Sequence, residues 1–91
     1  MAHTVGNKSK LIARVRRASG QLAAVERAIE SEADCVQILQ QAAAARGAIN
    51  GLLEELVEDH LRQHVARSGL TDAERQAGSD ELIAILRRYS R

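Results

Sequence analysis

Proline, phenylalanine and tryptophan are missing from this sequence of 91 residues, and Tyr89 is its only aromatic residue. With few aromatic or β-branched side chains there is little to fill a sheet. With no proline, the strongest helix breaker is absent. There is a single cysteine, Cys35, which excludes an internal disulfide and fits a reducing compartment. No stretch approaches the roughly 18 to 20 apolar residues of a membrane span. The opening MAHTVGNKSK has no apolar signal core, so a cytoplasmic protein with no membrane partner is expected. Also lacking are a phosphate loop, a cofactor motif and a catalytic acid–base pair with an orienting partner, so no enzyme is expected.

What is present is helix-forming: Ala, Leu, Glu, Arg and Gln dominate. In residues 8–30 the apolar series Leu11, Val15, Ala18, Leu22, Val25, Ile29 steps alternately by four and three, which predicts a helix. Ser31 to Asp34 form a polar break, and Asp34 with Gln37 reads as an N-cap with its capping-box partner. A second helix is expected from about Cys35 to about Ala66, with the seam Ile38, Ala42, Ala45, Ile49, Leu52, Leu56. At 1.5 Å per residue it would run about 45 Å. Gly47 and Gly51 lie one turn apart in it. Each costs roughly 1 kcal/mol of helix propensity, so a close helix–helix approach is expected to compensate.

After Ser68 and Gly69, Thr71 with Glu74 predicts a capped short turn of helix, and Ser79 a cap for a last helix carrying Leu82, Ile83, Leu86 and Tyr89. The expected fold is all-α: one domain over residues 1–91, an antiparallel αα-hairpin plus a short C-terminal helix. Its core of Ala, Leu, Ile and Val is thin, so partner chains should cover the remaining apolar stripes.

The net charge is only +1, but it is unevenly spread. Residues 1–30 hold six basic side chains (Lys8, Lys10, Arg14, Arg16, Arg17, Arg27) against Glu26 and Glu30, a balance of +4. Residues 31–91 hold seven basic and ten acidic side chains, a balance of −3. The first segment therefore either meets a polyanion or forms a solvated charged face.

The three histidines and the lone cysteine, His3, Cys35, His60 and His64, gain meaning together. His60 and His64, at i and i+4, share one helix face. Cys35 and His60 are 25 positions apart (60 − 35) on the same expected helix, about 38 Å at 1.5 Å per residue. They cannot ligate one ion within a chain. In an antiparallel pair of second helices, Cys35 of one chain comes beside the histidine end of the other. A hairpin turning near residues 32–33 also sets position 3 opposite position 62, so His3 joins its own chain's His60 and His64. Two-fold symmetry then gives two such sites per dimer. Imidazoles with one thiolate suit borderline ions such as Ni(II), Co(II) and Zn(II). If Met1 is removed, the Ala2 amine is a further possible ligand.

Three stretches, KLIARVRRASGQLAAVERAI, CVQILQQAAAARGAINGL and EDHLRQHV, carry a resemblance that covers nearly the whole chain. The sequence resembles the bacterial copper-, nickel/cobalt- and formaldehyde-responsive repressors of the CsoR/RcnR/FrmR type. The start MAHT with Cys35, His60 and His64 looks most like the nickel/cobalt branch, whose four metal-binding positions all match here. The copper branch has a second cysteine where this chain has His64. The formaldehyde branch typically has a proline at the second position and no histidine at position 64.

The resemblance implies an all-helical dimer of dimers without a helix-turn-helix. It implies that the apo tetramer binds double-stranded operator DNA and that the effector releases it, so that an export or detoxification gene is transcribed. The family's DNA-contacting residues fall on Arg14 and Arg17, with Arg46 a further candidate that could instead serve a tetramer interface; Lys10 lies on the same basic segment. Two alternatives stand beside a Ni(II)- or Co(II)-responsive repressor. One is a formaldehyde sensor using Cys35 and the N-terminal amine. The other is a helical-bundle interaction protein in which histidines and cysteine are incidental.

Overall fold

The computed structural model describes residues 7–89, and the expected all-α class is what it shows. Helix α1 spans Lys8–Glu30, α2 spans Cys35–His64 and α3 spans Asp72–Tyr89, with no strand among the described residues. The described chain divides into two compact units, one of residues 7–54 and one from residue 55 onward.

In the first unit, α1 ends in three backbone bonds made by the polar break. The N–H groups of Ser31, Glu32 and Ala33 donate to the carbonyls of Arg27, Ile29 and Ala28, at 2.9, 3.1 and 3.0 Å. The last two form the 6→1 and 5→2 pair of a Schellman motif. That motif needs a left-handed residue, and here it is Glu32, with φ 55°. Asp34 then caps α2 as expected: its Oδ1 accepts from the N–H of Val36 at 2.7 Å and of Gln37 at 3.2 Å.

The hairpin buries little. Leu11, Ala18 and Ala28 of α1 and Ala45 of α2 are its buried apolar residues, whereas Val15, Leu22, Ile29, Val36, Leu39 and Ile49 of the same two helices are exposed. The seams are therefore real but wider than one chain covers. That is the surplus expected of helices that require further apolar partners. The glycines behave differently from expectation. A Cβ on Gly47 would meet nothing within 4 Å, and one on Gly51 would meet the side chain of Arg14. Neither brings two helix backbones together within the subunit.

In the second unit, α2 stops at His64 rather than Ala66. The N–H groups of Val65 and Ala66 both turn back to the carbonyl of Leu61, at 3.1 and 2.8 Å. Arg75 reaches over from α3, its Nη1 donating to the carbonyl of Val65 and, at 3.5 Å, to that of Arg67. A cation at the carbonyl end of a helix is electrostatically favoured. Thr71 and Glu74 form the expected reciprocal capping box, with Thr71 N–H to Glu74 Oε1 at 2.9 Å and Glu74 N–H to Thr71 Oγ1 at 3.1 Å.

That box opens one continuous helix of 18 residues, not a short turn followed by a separate helix. Ser79 lies inside α3 and is not a cap. Its neighbour Gly78 is buried against the end of α2, where an added Cβ would fall on the carbonyl oxygen of His64 and 2.8 Å from its Cβ. Packing of this kind outweighs the weak preference of Gly–Ser for ending a helix.

Candidate metal site and nucleic-acid face

His60 and His64 lie on one face of the last turns of α2, their ring centroids 4.8 Å apart and tilted by 37°. The His60 side chain is only 14% exposed. Its Nε2 lies 3.0 Å from the carbonyl oxygen of Gly78 and 4.0 Å from Glu81 Oε2. A carbonyl can only accept, so Nε2 is the donor, and in the neutral ring of that tautomer the lone pair lies on Nδ1. Metal-ligating histidines are commonly oriented by such a bond from the second ring nitrogen.

Two neighbouring imidazoles fit a borderline divalent cation, but among the described residues no three His, Cys, Asp or Glu side chains form a metal cluster. Cys35 is an exposed free thiol in the first position of α2, the other end of the helix that His64 closes. His3 and Ala2 lie outside the described residues. Of the four candidate ligands named from the sequence, the described residues of one subunit bring together only two, His60 and His64.

Sequence reasoning missed Gly78 and Glu81. A backbone carbonyl leaves no side-chain signature. The only available signal was a costly glycine in the helical run RQAGSDEL.

On α1, Lys10, Ala13, Arg14 and Arg17 line an open recess of about 210 Å³. Their spacing puts three cationic side chains on one helix face, where an anionic group meets several donors at once. Arg14 is half-buried, while Lys10, Arg17 and Arg46 are exposed. Arg46 lies on α2 and is not part of the recess lining.

A family model described as a metal-sensitive transcriptional repressor matches residues 7–88. This chain belongs to that family. Members of the metal-sensitive repressor family are transcriptional regulators and not enzymes, and a transcriptional repressor binds DNA and oligomerises. Among its relatives, the "Uncharacterized protein in bioA 5′ region" of Serratia marcescens is 46% identical over 89 residues, 98% of each chain. The transcriptional repressor RcnR of Salmonella arizonae is 37% identical over 89 residues, again 98% of each chain. A solved structure of the formaldehyde-responsive regulator FrmR from Salmonella enterica serovar Typhimurium, in a glutamate-to-histidine variant, superposes with a TM-score of 0.86. It is 44% identical, and the match covers 97% of this chain and 99% of that one. No helix among the described residues of this repressor is long and apolar enough to cross a membrane.

Proposed function

We propose that this repressor binds double-stranded operator DNA in its metal-free form and is released by Ni(II) or Co(II), with Zn(II) a third candidate, so that a metal-efflux gene is transcribed. The observation that carries this reading is the pair of imidazoles, His60 and His64, 4.8 Å apart on one face of α2. The RcnR relative supports a repressor role. His3 completes the set from the same chain and Cys35 from a partner chain, because one α2 has Cys35 at its start and His60 and His64 at its end. The bound ion would supply a Lewis-acidic centre that holds imidazole and thiolate donors of two chains together.

The assembly that fits is a dimer of dimers, in which the exposed apolar residues of α1 and α2 meet those of other copies. DNA is held by the basic face of α1, through Arg14 and Arg17 with Lys10, and Arg46 is a further contact. The cations lie along one face of a single helix, which suits phosphate contacts and readout of DNA shape rather than of base edges.

A second reading is favoured by one observation, the similarity to a formaldehyde-responsive regulator. Here the exposed thiol of Cys35 adds to the aldehyde carbon and the Ala2 amine displaces its oxygen as water. A methylene bridge between sulfur and nitrogen remains. The experiment that separates the readings is operator release measured in parallel against Ni(II), Co(II), Zn(II), Cu(I) and formaldehyde. Release by Ni(II) or Co(II) alone supports the first reading. Release by formaldehyde alone replaces it with the second.

A further inference from the structure

Gly51 sits in the interior of α2, where a glycine is unfavourable relative to alanine. No backbone of a neighbouring helix accounts for it. The nearest atom to a Cβ built at Gly51 is Nη1 of Arg14, at 2.8 Å, followed by Arg14 Cζ at 4.0 Å. The missing side chain is thus the space that the tip of one arginine uses. Arg14 is also the half-buried member of the recess it shares with Lys10 and Arg17. Its guanidinium is a planar fork whose hydrogen bonds to a phosphate depend on where the plane stands.

We propose that Gly51 is a positioning residue for DNA binding: by leaving room for the guanidinium of Arg14, it sets where that cation stands beside Lys10 and Arg17, and so how it meets a backbone phosphate. The proposal rests on the reading of α1 as the DNA face. Only the far end of a flexible side chain opposes a methyl group at position 51. Gly51→Ala therefore displaces Arg14 while improving helix propensity, so stability and DNA affinity move in different directions. A lysine at position 14 ends about where Cζ lies, at ordinary contact distance from that methyl group, and so is not displaced.

The test uses the full-length protein and a duplex that the wild-type protein selects from a random-sequence library. Gly51→Ala should lower affinity for that duplex by roughly three- to tenfold at fixed salt and make the salt dependence shallower. The melting temperature should be that of wild type or higher, and the native mass unchanged. In an Arg14→Lys background, the same exchange at Gly51 should change affinity by less than about twofold, since coupled residues fail to add. Wild-type affinity in Gly51→Ala, an equal loss in the Arg14→Lys background, or an altered native mass overturns the proposal. The control is Arg14→Ala. If it binds weakly while Gly51→Ala binds normally, only the role of Gly51 falls; if it binds as wild type, the reading of α1 as the DNA face falls, and this proposal with it.

Discussion

The Nε2 of His60 lies 3.0 Å from the carbonyl oxygen of Gly78, so a candidate ligand at the end of α2 is held by the backbone of α3. The contact exists because Gly78 lets the two helices approach until a Cβ there would overlap the carbonyl of His64. Neither that carbonyl nor the His64 Cβ can move aside without moving the end of α2. Gly78→Ala should therefore destabilise the protein by roughly 1 to 3 kcal/mol, the usual cost of overpacking, even though alanine is the better helix former. Thermal melts check this, and a melt equal to or above wild type would show that α3 can back away freely.

The trans arrangement of the metal site is testable by mixing chains. A Cys35→Ala chain combined with a His60→Ala/His64→Ala chain should form heterodimers with one intact site, restoring strong metal binding that neither variant shows alone. Subunit exchange is followed by native mass. Exchange without recovered binding would mean that thiol and imidazoles do not meet across the dimer.

Arg14→Ala and Arg17→Ala should each weaken operator binding and reduce the slope of log K against log salt by about 0.9 for each phosphate no longer neutralised. Metal affinity should change little, because neither guanidinium is among the candidate ligands. Unaltered salt slopes in both variants would point to a different face.

His3→Ala should separate binding from release. His60, His64 and Cys35 would still hold an ion, while the N-terminal segment that leads into Lys8 and Lys10 would no longer be tied to it. Metal affinity should be partly kept, and the coupling between metal and DNA, usually about 1 to 3 kcal/mol, should shrink. Full release at saturating metal would assign the switch to α2 instead.

The capping box of α3 predicts a pH dependence. The Glu74 carboxyl is held below its ordinary range, chiefly by the hydrogen bond from the Thr71 backbone N–H and also by one with the Thr71 side chain. A folded-state value below the unfolded one means that its stabilisation is present above the ordinary carboxylate value of about 4.3 and is lost as pH falls through the folded value. Glu74→Gln should therefore melt below wild type at neutral pH, and the two melts should converge in strong acid. Parallel curves across that range would show that the carboxylate charge is not what closes the cap.

The sequence by itself determined the helical class, the span of α1, the start of α2 and the two caps at Asp34 and Thr71–Glu74. These depend on residues within a turn or two of each other, and period and capping chemistry express such local relations directly. It also determined the family, through motifs that run almost the length of the chain.

Only the tertiary structure decided that α3 is unbroken through Ser79, that Gly78 is where α2 and α3 meet, and that Gly51 faces an arginine and not a second backbone. Each of these is set by a contact between residues 14 to 37 positions apart. The Gly78 contact falls on a backbone carbonyl, which every residue type carries alike. The Gly51 contact is made by the end of a long side chain, whose position no spacing rule gives. Local preference at Gly78 and Ser79 is worth a fraction of a kcal/mol to about 1 kcal/mol, and the packing of one helix on another is large enough to reverse it.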